Sequence, residues 1–323
     1  MKRFLKQILI NLALCTAFFF GIGSMAEKII DLRLAQNTRV HVQSDWHDLE
    51  GHNSDILFIG NSRTWTHIDP LVFESQTHLK AEVLGQDGQS PRILYYKFEE
   101  YLKVNEPPIE IFLQFDPYFW GERGTLYGFH TLAPYFYKDR LSIIKKLDGL
   151  KGYNELYRKV PLLAFQSTHK SRKIFFQLLF NDSLDRKQSW ERNKGFHSKG
   201  GKRKHRNKAK SIFLNKNHSS YIDSFFALCK SKRIIINALF TPMTDSYFRN
   251  FKNIKILDTT FKNLSQKFQN TGSYYHFESV QRLNLFPEYY FRDNFHMNSR
   301  AIPLFMDSFI SDYLKKKPET GSH

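Results

Sequence analysis

The chain has 323 residues, 41% of them hydrophobic, which is enough for the core of one large or two small domains and excludes wholesale disorder. Its formal net charge of +17 makes it strongly basic. This charge predicts an anionic neighbour: nucleic acid, an acidic polysaccharide or an anionic membrane surface.

The amino terminus distinguishes between these neighbours. Lys2, Arg3 and Lys6 precede an uncharged apolar run over residues 8–26, close to the roughly 20 residues that span a bilayer. Basic residues ahead of such a run favour a cytoplasmic amino terminus, which places the remainder of the chain outside the cytoplasm. The run is either a retained signal anchor or a signal peptide cleaved after Ala26. Export by either route excludes nucleic acid as a partner.

Cysteine usage predicts neither a disulfide nor a metal site in the exported part. Only Cys229 lies outside the apolar run, and it has no ligand-spaced neighbours. We therefore expect no metal and no cofactor. Residues 27–53 are polar and mixed, which is typical of a juxtamembrane helix or linker.

From residue 54 onward the pattern predicts an α/β domain. Short apolar runs at residues 56–59, 81–84 and 109–115 are typical of buried strands. Helices are expected after Pro70 and Pro91, because proline is tolerated in a first turn. The resulting β-α-β-α-β order indicates a mainly parallel sheet covered by helices.

An insert at about residues 118–211 interrupts this order. It contains aromatic clusters, a predicted helix over residues 141–151 and a basic tract over residues 194–210. The tract is either a solvated loop or an electrostatic contact with anionic lipid or polymer. The aromatic residues either pack in a core or stack on sugar rings, with Tyr118, Trp120 and Tyr135 as the candidates.

The α/β pattern returns after the insert and ends near residue 316. It predicts a helix over residues 221–230, a strand within 233–242, a fifth strand over 254–257 and a helix over 261–268. The last helix is expected to begin near Asn298 or Ser299, since both are good caps.

Ser62 is a candidate nucleophile. It follows the first predicted strand through Gly60 and Asn61, and it stands where a helix is expected to begin. That position lies at the carboxyl edge of a sheet, where open α/β folds bind their ligands. Free N–H groups of a helix amino terminus also favour developing negative charge. The alternative is a serine that only caps the helix.

Asp293 and His296 form the second part of the candidate site. Of the 13 histidines, only His296 has an aspartate three residues before it. In a turn entering a helix this spacing lets the carboxylate hold one ring nitrogen, which leaves the other free to take a proton from a serine. The alternative is a surface hydrogen bond at a helix start.

The order of these features resembles the SGNH (GDSL-like) hydrolase superfamily. The resemblance rests on Gly60-Asn61-Ser62, on the glycine-bearing turn after the second strand, and on Asp293 and His296. It implies a three-layer α/β/α fold and a Ser62–His296–Asp293 triad. It also implies an oxyanion hole that includes Gly88. The superfamily usually has an asparagine donor after the third strand, where this chain has Gln114 and Asp116 at the corresponding part of the hole. A carboxylate cannot donate unless protonated, so that donor is missing, replaced by Gln114 or supplied elsewhere.

Within the superfamily, a membrane anchor ahead of an extracytoplasmic domain is most similar to proteins of alginate O-acetylation and teichoic-acid D-alanylation. The resemblance implies a serine-dependent O-acyltransferase of the cell envelope, acting on a surface polysaccharide or another envelope polymer. Such proteins often work beside a membrane-bound O-acyltransferase, which is an implied partner. Two alternatives remain open: a carbohydrate esterase of the same fold, and a catalytically degenerate glycan-binding subunit of an envelope assembly complex.

Overall fold

The computed structural model describes residues 2–35, 51–85, 87–116, 132–133, 142–147, 153–160, 162–180, 216–245, 255–277, 283 and 285–317. The described helices are α1 (Lys2–Ala35), α2 (Ser62–His67), α3 (Pro70–Thr77), α4 (Pro91–Val104), α5 (Leu156–Lys159), α6 (Leu162–Gln166), α7 (His169–Phe180), α8 (Lys216–Lys232), α9 (Lys255–Phe268), α10 (Pro287–Tyr290) and α11 (Ala301–Lys316), with a 3-10 helix at Ser142–Lys146. The strands are β1 (Ile56–Gly60), β2 (Ala81–Gly85), β3 (Glu110–Gln114), β4 (Ile235–Phe240) and β5 (Tyr274–His276).

The chain divides into two compact units. One comprises Met1–Asp48 and Phe129–Arg186, and the other comprises Leu49–Gly128 and Lys187–His323. The first unit therefore joins the amino-terminal helix to part of the predicted insert. The second unit contains all five strands and every candidate site residue.

The described residues of the first unit form helices joined by turns. Helix α1 contains a segment, Lys2–Ala26, that is long and apolar enough to cross a membrane, a property that signal sequences share. Helix α1 also contacts α7. The ring of Phe165 on α6 packs against that of Phe175 on α7 at 5.1 Å between centroids. Of the predicted helix over residues 141–151, the structure describes residues 142–147, and a 3-10 helix spans Ser142–Lys146 there.

The second unit is built on a five-stranded parallel sheet, which confirms the α/β class. The strand order is β2-β1-β3-β4-β5, and all neighbouring pairs are parallel. The chain runs from β1 outward to β2 and then returns to β3 on the other side of β1. The direction of winding thus reverses between β1 and β3, and ligands of open α/β sheets bind at the carboxyl end of that reversal.

Alternating residues of the central strands contact different helices. Leu57 and Ile59 on β1 belong to a buried apolar cluster that also contains residues of α4, α8 and α9. Phe58, which lies between them, instead packs against Phe73 on α3 and Phe309 on α11, at 5.4 and 5.9 Å between ring centroids. Because successive side chains of a strand point to opposite faces, both faces of β1 bury apolar surface. This explains the uninterrupted apolar run in the sequence.

The structure corrects the prediction of a fifth strand over residues 254–257. Residues 255–257 begin α9, and β5 is instead the short strand Tyr274–His276. The physical reason is the spacing of Leu257, Phe261 and Leu264, which falls on one helical face and packs on the core cluster. Strand β4 lies within the predicted range 233–242, and the last helix, predicted to begin near Asn298 or Ser299, begins at Ala301.

Several predictions fall on residues that the structure does not describe. The basic tract over residues 194–210 and the sugar-stacking candidates Tyr118, Trp120 and Tyr135 lie outside the described residues. The described residues of the insert form helices and turns, with no strand among them.

Candidate active site

Ser62 is the first residue of α2, directly beyond the carboxyl end of β1. The Asn61 side chain caps this helix by accepting a hydrogen bond from the Arg63 N–H at 3.1 Å. Gly60 permits the turn, because a Cβ at that position would lie 2.6 Å from the Gln114 side chain and would overlap the Thr64 hydroxyl. The short turn places the serine hydroxyl at the carboxyl edge of the sheet.

Asp293 and His296 belong to a tight turn between α10 and α11. One oxygen of the Asp293 carboxylate, Oδ1, accepts the backbone N–H groups of Phe295 and His296 at 3.0 and 2.8 Å. The Arg292 N–H donates to the His296 carbonyl at 2.9 Å, which closes the turn. A residue outside the turn also holds it in place, because the Thr244 N–H donates to the Asn294 carbonyl at 3.0 Å.

The tertiary structure brings Ser62, His296 and Asp293 into one hydrogen-bonded row. His296 Nε2 lies 2.8 Å from Ser62 Oγ, and His296 Nδ1 lies 2.8 Å from Asp293 Oδ2. An ionised carboxylate only accepts hydrogen bonds, so the ring proton is on Nδ1 and Nε2 is left to accept from the serine hydroxyl. This is the tautomer that a histidine needs in order to act as a general base toward serine.

The surroundings keep His296 neutral and Asp293 ionised near pH 7. Burial lowers the pKa of His296, and Arg292 and Arg63 lower it further, against an opposing effect of the Asp293 carboxylate. Burial alone would raise the pKa of Asp293, but its hydrogen bonds to His296 and to backbone N–H groups lower it overall. A neutral imidazole beside an ionised carboxylate is the protonation state of a resting base.

We expect reactivity at Ser62 to fall on acidification, because a protonated His296 cannot accept the serine proton. The pKa of His296 is lowered, so the midpoint should lie below the ordinary histidine value of about 6.5, with full reactivity above it. The midpoint is obtained from rates of fluorophosphonate labelling of the full-length chain between pH 4.5 and 8. A midpoint above 6.5 would contradict the described surroundings of His296.

Asp116 and Gln114, the residues at the third-strand part of the expected oxyanion hole, both make hydrogen bonds to other groups of the site. The Asp116 carboxylate is fully buried and pairs with the Arg63 guanidinium at 2.6 Å. The Gln114 carbonyl oxygen accepts the Asn61 N–H at 2.7 Å, which turns its amide nitrogen toward Asp116. Both side chains are thus committed to a buried network beneath the serine turn, because the Arg63 charge needs a counter-ion there.

Two backbone N–H groups remain as candidate oxyanion donors. The N–H groups of Ser62 and Gly88 donate to no other group in the described part of the chain. Gly88 has a φ of +63°, a conformation that favours glycine. The Trp65 indole N–H donates to Asp87 at 2.8 Å, which holds the turn containing Gly88 against the helix of Ser62.

The sequence interpretation missed three further residues of the site: Arg63, His67 and Thr241. Arg63 is 1% exposed and donates through Nη2 to Thr241 Oγ1 at 2.9 Å. His67 Nδ1 lies 3.0 Å from the same hydroxyl. The sequence contained one signal for two of these residues. Arg63 and His67 are basic residues in a stretch with little other charge, directly after the candidate serine.

Comparison of the chain with protein families and with curated proteins finds no match. The fold and the site define its class: an α/β protein with a five-stranded parallel sheet, and with serine, histidine and aspartate in one hydrogen-bonded row at its carboxyl edge. Within the described residues, no group of three or more acidic, histidine or cysteine side chains is arranged to hold a metal ion.

Proposed function

We propose that the chain is a membrane-anchored, extracytoplasmic O-acyltransferase that acts on an envelope polymer or exopolysaccharide through an acyl-Ser62 intermediate. The observation that carries the proposal is the contact of 2.8 Å between His296 Nε2 and Ser62 Oγ, with Asp293 on the other ring nitrogen. These side chains lie at the carboxyl edge of the sheet, where the direction of winding reverses, and this position also supports the proposal. The resemblance to SGNH proteins, with their three-layer α/β/α fold, supplies the acyl chemistry.

The first half-reaction forms the acyl-serine. His296 Nε2 takes the proton of Ser62 as Oγ attacks the carbonyl carbon of an acyl donor, and the carbonyl oxygen becomes an oxyanion. The N–H groups of Ser62 and Gly88 would stabilise that charge. The C–X bond of the donor then breaks, and the leaving group departs with the proton held on His296.

The second half-reaction transfers the acyl group to a sugar. His296 now takes a proton from a glycan hydroxyl, whose oxygen attacks the acyl carbon and displaces Ser62 Oγ. The proton passes to Ser62, which restores the resting site. A water molecule in place of the glycan hydroxyl gives an esterase with the same residues, so the acceptor distinguishes the two activities.

The amino-terminal segment supports the cellular placement. Lys2, Arg3 and Lys6 precede a segment able to cross a membrane, which favours a cytoplasmic amino terminus and an extracytoplasmic second unit. An envelope polymer is therefore the expected acceptor. A membrane-bound O-acyltransferase is the expected partner, because it would deliver the acyl group across the membrane.

A fluorophosphonate probe tests the proposal on the full-length chain in detergent. We expect one adduct, mapped by peptide mass spectrometry to Ser62, and none in the Ser62→Ala variant. Ser75→Ala serves as the control, since Ser75 is an exposed serine of α3 that bonds only its own helix. No adduct on the unmodified chain would favour the degenerate glycan-binding subunit, an outcome motivated by the commitment of Gln114 and Asp116 elsewhere.

Acyl content of the envelope polymers distinguishes transferase from esterase. In cells that carry Ser62→Ala in place of the native chain, we expect the acyl content of one polymer to fall. A rise in acyl content would show that the site removes acyl groups and would replace the transferase proposal by the esterase.

A further inference from the structure

His67 lies in the interior of the site without touching Ser62, His296 or Asp293 through a hydrogen bond. It is the last residue of α2, is fully buried and makes two hydrogen bonds. Its Nε2 accepts the backbone N–H of Met297 at 2.9 Å, and its Nδ1 lies 3.0 Å from Thr241 Oγ1. Its ring centroid lies 6.2 Å from that of His296.

The tautomer of His67 follows from these partners. A backbone N–H can only donate, so Nε2 carries no proton and the ring proton is on Nδ1, which donates to Thr241. Burial lowers the pKa of His67 well below its ordinary value, and the nearby Arg63 and His296 act in the same direction. A proton on Nε2 would oppose the Met297 N–H, so only the neutral Nδ1–H form keeps both bonds.

These bonds join three segments that carry the candidate site. Met297 directly follows His296, so its N–H bond to His67 fixes the end of the turn that holds the base. Thr241 follows β4 and also accepts from Arg63, the neighbour of Ser62. Arg63 and His67 both belong to the short helix α2 that Ser62 begins.

We propose that His67 is a positioning residue that holds the His296 turn in register with the Ser62 helix through the Met297 N–H. The inference rests on the proposed function only for its effect on rate. The contact itself exists independently of any activity. The Asp293 hydrogen bond sets the orientation of the His296 ring, whereas the His67 bond sets the distance of its backbone from Ser62.

Two substitutions separate the two bonds of His67. The Gln side chain places an oxygen near the position of Nε2, so His67→Gln retains an acceptor for Met297 and loses the Nδ1–H donor. The Asn side chain places an N–H near the position of Nδ1, so His67→Asn keeps the bond to Thr241 and loses the acceptor. Both variants leave a neutral polar group in the same buried place, which makes each the control for the other.

The expected result is a difference between these two variants. His67→Asn should slow fluorophosphonate labelling of Ser62 by about 10- to 100-fold, as expected for a shift of about 1 Å, and His67→Gln by no more than about threefold. Hydrogen exchange at the Met297 amide should accelerate at least about tenfold in His67→Asn only. The exchange is readable by NMR in the full-length chain labelled with 15N-Met, since the sequence has five methionines.

Substitutions of Thr241 provide a second pair of variants if a His67 variant fails to fold. Thr241→Ser keeps the hydroxyl and should behave like the native chain. Thr241→Val removes the acceptor of Nδ1–H, favours the other tautomer and should accelerate Met297 exchange.

Equal rates and equal Met297 exchange in the two members of a pair would overturn the proposal. If the native chain gives no Ser62 adduct, the proposed function fails, and Met297 exchange still decides whether His67 holds the turn.

Discussion

His296→Ala is expected to reduce the rate of fluorophosphonate labelling at Ser62 by about 10⁴-fold or more, because it removes the base that contacts Ser62 Oγ. His296 Nε2 lies 2.8 Å from Ser62 Oγ. Asp293→Ala should cost less, since the aspartate only orients and stabilises the ring. Rates measured at one probe concentration on purified full-length variants give the ratio.

Non-additivity distinguishes a joint role of His296 and Asp293 from separate structural effects. The double variant His296→Ala with Asp293→Ala should label at Ser62 no more slowly than His296→Ala alone, because Asp293 acts through the His296 ring. His169→Ala, at an exposed histidine of α7 in the other unit, is the matched control and should retain the native rate. A near-native rate for His296→Ala would show that His296 is not the base.

Asp116→Ala is expected to lower the free energy of unfolding by about 3–5 kcal/mol, because it leaves the Arg63 charge buried without its counter-ion. Arg63 is 1% exposed and Asp116 is fully buried. The carbonyl and hydroxyl oxygens of Thr241 and the Phe240 ring, 5.4 Å from the guanidinium carbon, remain as its other partners. Urea denaturation of the full-length chain in detergent measures the change.

A second substitution tests whether the cost comes from the unpaired charge. Arg63→Met combined with Asp116→Ala removes both charges and should be more stable than Asp116→Ala alone. Asp258→Ala is the surface control, because the exposed Lys262–Asp258 pair of α9 contributes less than about 1 kcal/mol. If Asp116→Ala is as mild as Asp258→Ala, the buried pair is not a determinant of stability.

In the proposed enzyme, Asp116 stands where the SGNH resemblance predicts an asparagine donor, and the structure uses that position for the counter-ion of Arg63, the residue next to Ser62. Among the described residues, the candidate oxyanion donors of the proposed enzyme are then backbone N–H groups. Loss of one such donor costs on the order of 3 kcal/mol in transition-state stabilisation in well-studied enzymes.

Elements whose signal is local could be predicted from the sequence. The apolar run of β1 is uninterrupted because both of its faces pack against apolar helix residues, and β2, β3 and β4 are short strands of mainly buried residues. The apolar helix at the amino terminus is equally local, because its length and lack of charge are properties of the segment itself. Ser62, Asp293 and His296 could be selected as candidates because each lies at a predicted element boundary.

Features that depend on residues distant in the sequence could not be predicted and are seen first in the folded chain. The strand β5 has three residues and takes its identity from pairing with β4, whereas the apolar residues of α9 look like a strand until their helical face meets the core. Ser62 and His296 are 234 residues apart, Arg63 and Asp116 are 53 apart, and His67 and Met297 are 230 apart. The sheet topology brings these pairs to one carboxyl edge. Burial there then decides that Asp116 neutralises Arg63 and that His67 stays neutral, which no local pattern encodes.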